Sequence, residues 1–258
     1  MGNQTKIKRV FWDIETSPNI VFTWRIGGKV FIDHNSIISE RAVICICYKW
    51  EGEKKTRYLV WDNGDDAEML KEFAEVIKEA DEMVAHNGDS FDLKWFNARN
   101  LINNLDPVPQ PKTVDTLKIA RKHLRLNSNR LDYLAKVLFG EGKIKTDFDM
   151  WRDITLNHDQ KALDKMVRYC KRDVVLLEKV WNKLRDYDAP KTHTAVLASG
   201  NPFDRWKCPH CGSAHVKKSK NMVTATGMRK HQMNCLDCYR YYSIADNVFA
   251  WYVTQKDG

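Results

Sequence analysis

The chain has 258 residues, of which 43% are hydrophobic and 29% charged, with a net charge of +8 and a pI near 9.0. This length allows one buried domain of about 150 to 200 residues plus a smaller module, and the composition excludes a largely disordered chain. The sequence contains no apolar run of about 18 residues and no signal-peptide pattern, so we expect a cytosolic protein without a membrane partner.

Sequence patterns in the first 187 residues predict several adjacent strands, followed by strands that alternate with helices. Short apolar runs bounded by turn residues predict strands at 10–14, 20–26, 42–50, 57–61 and 83–86. Apolar spacing of three or four residues predicts helices at 65–80, 90–103, 131–139 and 158–185. This alternation indicates an α/β domain.

The helical pattern ends at Asp186, and the sequence that follows lacks clear periodicity. We therefore predict a first domain at 1–187, a linker at 188–204 and a second domain at 205–258. Residues 188–258 contain ten Lys and Arg but five Asp and Glu, so this part supplies +5 of the net charge of +8. Such an excess favours a polyanionic partner.

Acidic side chains lie at the ends of three predicted elements. Asp13 and Glu15 end the first strand and share one of its faces, because alternate strand residues point the same way. Asp92 lies in the first turn of the helix at 90–103, and Tyr169 and Asp173 lie one turn apart on the longest helix. Oxygen ligands of this kind favour Mg²⁺ or Mn²⁺, and two such ions can promote phosphodiester hydrolysis.

Each of these positions also has an ordinary structural interpretation. The Asp13–Glu15 pair is compatible with a solvated strand end, and Asp92 with a residue that the helix dipole favours. Asp173 is compatible with a surface ion pair and Tyr169 with a half-buried aromatic residue. We expect His86 to be a buried, hydrogen-bonded residue at a strand end rather than a catalytic base.

Three segments resemble, in order, the motifs of the tyrosine subclass of DEDD 3′–5′ exonucleases, which are RNase H-like. The first is FWDIETSPN, the second is NGDSFD at 87–92 and the third is YCKRD at 169–173. The resemblance covers about residues 7–185 and is closest to phage-encoded and proofreading-type exonucleases. It implies a mixed five-stranded sheet flanked by helices. It also implies hydrolysis of nucleic acid, with single-stranded DNA ends as the expected substrate, to nucleoside monophosphates.

The resemblance also implies roles for the acidic residues and the tyrosine. Asp13, Glu15 and Asp173 would bind the first of two Mg²⁺ or Mn²⁺ ions. Asp13 would bridge to the second ion, which Asp92 would support largely through water. Tyr169 would orient the attacking water.

Three further residues are implied to contact the substrate. Asn87 and Phe91 would contact or wedge the terminal nucleotides, and Lys145 would reach the scissile phosphate, although loop lysines are commonly just solvated. The segment Val114-Asp115-Thr116 also recurs in such enzymes, and we expect Asp115 to cap a helix or support the site rather than bind metal.

A second metal site is predicted in the C-terminal domain. Cys208, Cys211, Cys235 and Cys238 form two CxxC pairs with the spacing of a zinc ribbon, which predicts one structural Zn²⁺. The nearby His210, His215 and His231 are expected at the surface. Between the pairs, seven basic or histidine side chains predict the two outer ribbon strands, which would follow a phosphate backbone while nearby tyrosines stack bases. A plain ribbon with packed tyrosines is an equal alternative.

The remaining cysteines, Cys45, Cys47 and Cys170, lie on apolar elements and are expected to be small core residues. Two other functions stay open at this point: a nucleic-acid-binding or recruitment protein with an RNase H-like scaffold, and a structure-specific endonuclease. A polymerase or another replication or repair protein is a candidate partner. We expect DNA rather than RNA as the nucleic acid, and a phage-encoded enzyme would act in the host cytoplasm.

Overall fold

The computed structural model describes residues 7–142 and 146–256. The described chain divides into two compact units, one of residues 9–184 and one that combines residues 7–8 with 185–256. Among the helices described, none has both the length and the apolar character that crossing a bilayer requires.

The described residues of the first unit form seven strands and six α-helices, besides a 3-10 helix at His34–Ser36. The strands are β1 (Arg9–Thr16), β2 (Ile20–Val21), β3 (Ile37–Ser39), β4 (Val43–Trp50), β5 (Arg57–Val60), β6 (Glu82–Ala85) and β7 (Thr113–Asp115). The helices are α1 (Ala67–Glu79), α2 (Asp92–Ile102), α3 (Thr116–His123), α4 (Leu131–Phe139), α5 (Phe148–Asn157) and α6 (Gln160–Leu184).

Five of these strands form a mixed sheet in the order β5-β4-β1-β6-β7. Strand β1 pairs antiparallel with β4 and parallel with β6, β4 pairs antiparallel with β5, and β6 pairs parallel with β7. This arrangement confirms the predicted mixed five-stranded α/β sheet. Strands β2 and β3 form a separate two-stranded sheet.

The core of this unit is centred on β1 and β4. Strand β4 is buried at every position except its last residue, which fits its continuous apolar sequence, because a strand covered on both faces needs no polar alternation. Helix α6 packs against both strands, and Val174 and Leu177 on it are almost fully buried. The two central strands and α6 are therefore held rigidly together.

A buried ion pair ties α2 to the start of α1 and to β4. Asp66, which is fully buried, accepts hydrogen bonds from Arg99 Nε at 2.8 Å and from another Arg99 guanidinium nitrogen at 2.9 Å. It also accepts from the Val43 backbone N–H at 2.8 Å and from the Asn103 side-chain amide at 2.7 Å. Four donors thus satisfy a carboxylate that water cannot reach.

Two predicted segments differ in the structure. The strand expected at 20–26 contains only Ile20–Val21, and Phe22, Trp24 and Ile26 are exposed by 70%, 97% and 95%. An apolar run does not form a long strand where no neighbouring strand covers it. The segment 188–204, expected as a linker, contains the helix α7 (Thr194–Ser199) and the start of a 3-10 helix at Pro202–Trp206.

The second unit is built on a three-stranded antiparallel sheet in the order β10-β9-β8. Its strands are β8 (Val216–Val223), β9 (Arg229–Cys235) and β10 (Tyr241–Ala245), followed by the helix α8 (Asp246–Lys256). Strand β9 is central, although both strands of the basic hairpin were expected at the outside. The difference arises because β10 pairs along the second edge of β9.

Candidate active site and cysteine centre

Three carboxylates meet where β1 faces α6. Asp13 and Glu15 project from β1 and Asp173 from α6, and the ligand oxygens that they offer all lie within 4.8 Å of one another. Asp173 is buried, whereas Asp13 and Glu15 are partly exposed. Three negative charges this close repel each other unless a cation lies between them. Their chemistry fits a hard divalent ion such as Mg²⁺ or Mn²⁺.

The local structure of β1 explains how two of these residues share a face. Asp13 and Glu15 are two residues apart on a central strand, where they lie opposite Cys47 and Cys45 of β4. The pairing register shifts between Glu15 and Thr16, so regular pairing with β4 ends just after the acidic pair. The carboxylates therefore stand on a rigid strand immediately before the backbone leaves the sheet.

Asp92 lies beside this group but outside the set whose ligand atoms fall within 4.8 Å. It is the first residue of α2 and is almost fully buried, and its Oδ1 accepts a hydrogen bond from the Ile14 backbone N–H at 3.0 Å. Ile14 stands between Asp13 and Glu15. The carboxylate is thus both a helix-start residue and a direct contact of the acidic strand.

The turn before α2 is unusually tight. A Cβ placed on Gly88 would lie 2.3 Å from the Ala85 Cβ and 3.8 Å from Asp92 Oδ2. The preceding residue, Asn87, has a left-handed backbone with φ of 72°. Only a glycine allows the turn to pack this closely on β6 and so set the position of Asp92.

The side chains after β6 form a connected set with the start of α3. The Thr116 hydroxyl donates its single proton to the Ala85 carbonyl at 3.1 Å. Because that proton is used, the Thr116 oxygen must accept from His86, whose Nδ1–H donates to it at 2.9 Å. His86 is half-buried and hydrogen-bonded, in agreement with the expected strand-end role. Asp115 Oδ1 accepts from the backbone N–H groups of Asn87 and Leu117, each at 2.9 Å, and caps α3 as expected.

The structure describes three of the four other residues that were expected to act on the substrate. Tyr169 is partly buried on α6, one turn before Asp173, and Phe91 is partly buried at the N-cap position of α2. Asn87 lines a pocket of about 510 Å³ together with His86, Arg121, Asn129 and Arg130. Lys145 lies outside the described residues.

A second pocket opens at the end of β1, and no sequence pattern predicted it. Its volume is about 390 Å³, and its lining includes Thr16, Arg41, Phe148 and Trp151. Phe148 is 69% exposed. The pocket begins one residue after Glu15, so an aromatic surface and a cation lie close to the acidic strand end.

A buried thiol group lies directly behind Asp13. Cys170 Sγ is 3.4 Å from the Asp13 carbonyl oxygen and 3.6 Å from Asp13 Oδ2. Cys45, Cys47 and Cys170 are fully buried and their sulfurs lie within 4.8 Å of one another, so they are core residues as expected. Burial raises the pKa of the Cys47 and Cys170 thiols, so both stay protonated.

The four C-terminal cysteines form a second centre. The sulfur atoms of all four lie within 4.8 Å of one another, with Cys208 to Cys238 and Cys211 to Cys235 both at 3.6 Å. A tetrahedron with Zn–S bonds of about 2.3 Å has an edge of about 3.8 Å, whereas a disulfide would need about 2.05 Å. The cluster therefore fits one Zn²⁺.

The electrostatics of this centre favour a bound cation. Burial raises the pKa of Cys208 and raises that of Cys211 to about 11, so thiolates at these two positions need a positive charge nearby at neutral pH. At Cys235 burial acts in the same direction, but backbone hydrogen bonds from Cys238 and Asp237 outweigh it and lower the pKa to about 7. Nearby histidines interact elsewhere: His215 Nδ1 lies 2.9 Å from Asp237 Oδ1. His231 was expected at the surface but is buried, because its ring stacks on Phe249 at 3.9 Å.

Comparison with known proteins places the larger unit in a family. The sequence model RNase_H_2, described as RNase_H superfamily, matches residues 30–185, which is more than half of the chain. A DNA polymerase of Methanocaldococcus jannaschii is 25% identical over 121 residues, which cover 39% of this chain but 7% of the polymerase.

The structure also resembles a family B DNA polymerase from the archaeon Pyrobaculum calidifontis. The match has a TM-score of 0.55 and 16% identity, and it covers 70% of this chain and 25% of that chain. The chain thus corresponds to only a small part of either polymerase, and at this identity the structural similarity concerns the fold. Together with the five-stranded sheet, the match over residues 30–185 shows that the chain belongs to the RNase H superfamily.

Proposed function

We propose that the chain is a metal-dependent 3′–5′ exonuclease that hydrolyses phosphodiester bonds of nucleic acid. The observation that carries the proposal is the meeting of Asp13, Glu15 and Asp173 within 4.8 Å on two rigid elements. Membership of the RNase H superfamily supports a nuclease, and the two similar polymerases act on DNA by name. The 3′–5′ direction rests on the resemblance of the three sequence segments to the tyrosine subclass.

In this proposal the side chains at the site have different roles. Asp13, Glu15 and Asp173 would hold a divalent ion, and Asp92, fixed to the Ile14 N–H, would support a second one through water. Bound ions of this kind supply an activated water and stabilise the leaving 3′ oxygen. Tyr169, one helical turn from Asp173, would position the attacking water.

The substrate would enter beside the acidic strand end. The exposed ring of Phe148 in the pocket after Glu15 provides a surface on which the terminal base would stack, with Trp151 beside it. Asn87 and Arg121 line the other pocket and would contact the next nucleotides. Phe91 would wedge the terminal nucleotides, and Lys145 would reach the scissile phosphate.

The test is cleavage of matched single-stranded DNA and RNA oligonucleotides, labelled at the 5′ end, with Mg²⁺ or Mn²⁺. The wild-type chain should produce a ladder that shortens from the 3′ end. Asp13→Asn and Asp173→Asn should each slow cleavage on the order of 10³-fold, because several kcal/mol of charge stabilisation are lost. Asp164→Asn, an exposed carboxylate change on the same helix, is the matched control and should leave the rate unchanged.

Undiminished cleavage by Asp13→Asn would refute the site. The two alternatives give different results with the same reagents. Cleavage of a circular single strand would identify an endonuclease, because an exonuclease has no end from which to start. Binding without any degradation, even with Mn²⁺, would identify a nucleic-acid-binding protein on an RNase H-like scaffold.

A further inference from the structure

The three-stranded sheet of the second unit has one covered face and one open face. The covered face carries His231 and Met233, which are buried, and His231 stacks on Phe249 of α8. Because side chains alternate along a strand, the neighbours of these residues point to the opposite side. The pairing registers then assign to the open face Lys217, Lys220, Met222, Lys230, Gln232, Asn234, Tyr241, Ser243 and Ala245.

Side-chain contacts support this assignment. The Ser243 hydroxyl lies 3.7 Å from the Met222 sulfur although the two strands are not neighbours, so both side chains share the open face. Lys218, in contrast, lies over the ring of Phe249 at 5.1 Å and belongs to the covered side. The bulge between Lys218 and Lys220 in β8 is what brings Lys220 onto the same face as Lys217.

The open face is positively charged. It carries Lys217, Lys220 and Lys230, and no Asp or Glu occurs anywhere between Val216 and Cys235. Lys217 and Lys220 are exposed and stand on β8, which is the edge strand of the sheet. Three lysines on a face whose assigned residues include no Asp or Glu are suited to a row of phosphates, whose binding releases condensed counterions.

Tyr241 provides the second element of this surface. Its side chain is 59% exposed and lies on the open face, in the same row as Asn234 and Lys217. The adjacent Tyr242 points the other way, and its hydroxyl donates to the Trp206 carbonyl at 2.7 Å. Only one of these two tyrosines therefore presents a free ring face for stacking, which is how sheets bind unpaired bases.

We infer that the open face binds single-stranded nucleic acid, with Lys217, Lys220 and Lys230 on successive phosphates and Tyr241 stacked on a base. A single strand fits better than a duplex, because the bases of a duplex are not available to an exposed tyrosine. The partly exposed side-chain amide of Gln232, opposite Lys220, can donate to the sugar–phosphate backbone. This binding requires no reaction at the carboxylate site.

The test is fluorescence anisotropy of a labelled oligothymidylate with the full zinc-loaded chain carrying Asp13→Asn, so that cleavage does not interfere. The triple variant K217Q/K220Q/K230Q should make the negative slope of log K against log salt shallower by about 2, since each phosphate contact contributes about −0.7 for a single strand. Tyr241→Ala should weaken binding on the order of tenfold, and Tyr241→Phe should retain affinity.

A matched triple, K191Q/K218Q/K256Q, removes the same charge from the same unit but away from the open face, and should change the slope little. K217R/K220R/K230R should restore binding, which separates loss of contact from loss of folding. The inference is overturned if both glutamine triples weaken binding equally or if the open-face triple binds like its parent. Equal affinity for the matched duplex, or a preference for anionic lipid vesicles or an acidic protein, would also overturn it.

Discussion

Replacing Gly88 by alanine tests how the turn between β6 and α2 fixes Asp92. The new methyl carbon would lie 2.3 Å from the Ala85 Cβ, whereas carbon atoms in contact are separated by about 3.5 to 4.0 Å. The turn must therefore move by more than about 1 Å, and overpacking of this kind costs about 1 to 3 kcal/mol of folding free energy. A displacement of about 1 Å at a reaction site can slow catalysis about 10²-fold.

Two measurements check this prediction: the free energy of unfolding from urea titration, and the rate of metal-dependent oligonucleotide cleavage. Gly28→Ala is the control, because nothing lies within 4 Å of the added carbon, and its stability should change by less than about 0.5 kcal/mol. If Gly88→Ala were as stable and as active as the parent, the close packing of this turn would not set the position of Asp92. Lost stability with an unchanged rate would contradict only the link to the site.

The remaining predictions concern stability. Asp66→Ala should lower the free energy of unfolding in urea by about 3 to 5 kcal/mol, because Arg99 is left charged and buried without its partner. The control Asp62→Ala, at an exposed position, should change this free energy little. Equal effects of the two substitutions would contradict the prediction. Removal of Zn²⁺ by a chelator should unfold the second unit while residues 9–184 stay folded. Metal content and amide hydrogen exchange would measure this, and protection of β9 that persists without zinc would disprove it.

Much of the sheet was predictable because its central strands leave strong sequence patterns. The apolar run at 42–50 corresponds to β4 with a difference of one residue, since both faces of this strand are covered. Strand β7 was missed because three residues give too little periodicity, and helix α5 because it buries only Met150 and Ile154 and so lacks a continuous apolar stripe. At 20–26 the error is the opposite one, because a long strand was predicted where the structure has only Ile20–Val21. Local apolarity does not reveal whether another element covers a segment.

The candidate site was partly predictable for a related reason. Alternation placed Asp13 and Glu15 on one face, and the structure brings Asp173 to them, although their role as metal ligands stays a prediction. The two interpretations of Asp92 could not be separated from sequence, because its bond to the Ile14 N–H joins residues 78 positions apart. The contact between Cys170 and Asp13 joins residues 157 positions apart, so it could not be predicted from the sequence either.

That contact bears on how the chain would keep two kinds of metal ion apart. Three sulfur ligands lie behind the carboxylates, and soft ions prefer thiolates to oxygen. Burial, however, raises the pKa of Cys47 and Cys170, whereas hydrogen bonds from Cys170 and Cys47 lower the pKa of Cys45 to about 5. Two neutral thiols and one buried thiolate that already accepts hydrogen bonds from them bind metal poorly, so the hard carboxylates at the open side of β1 would be the better ligands there. Thiolate coordination is thereby left to the cysteine centre of the second unit, where four sulfurs already have the spacing that Zn²⁺ requires.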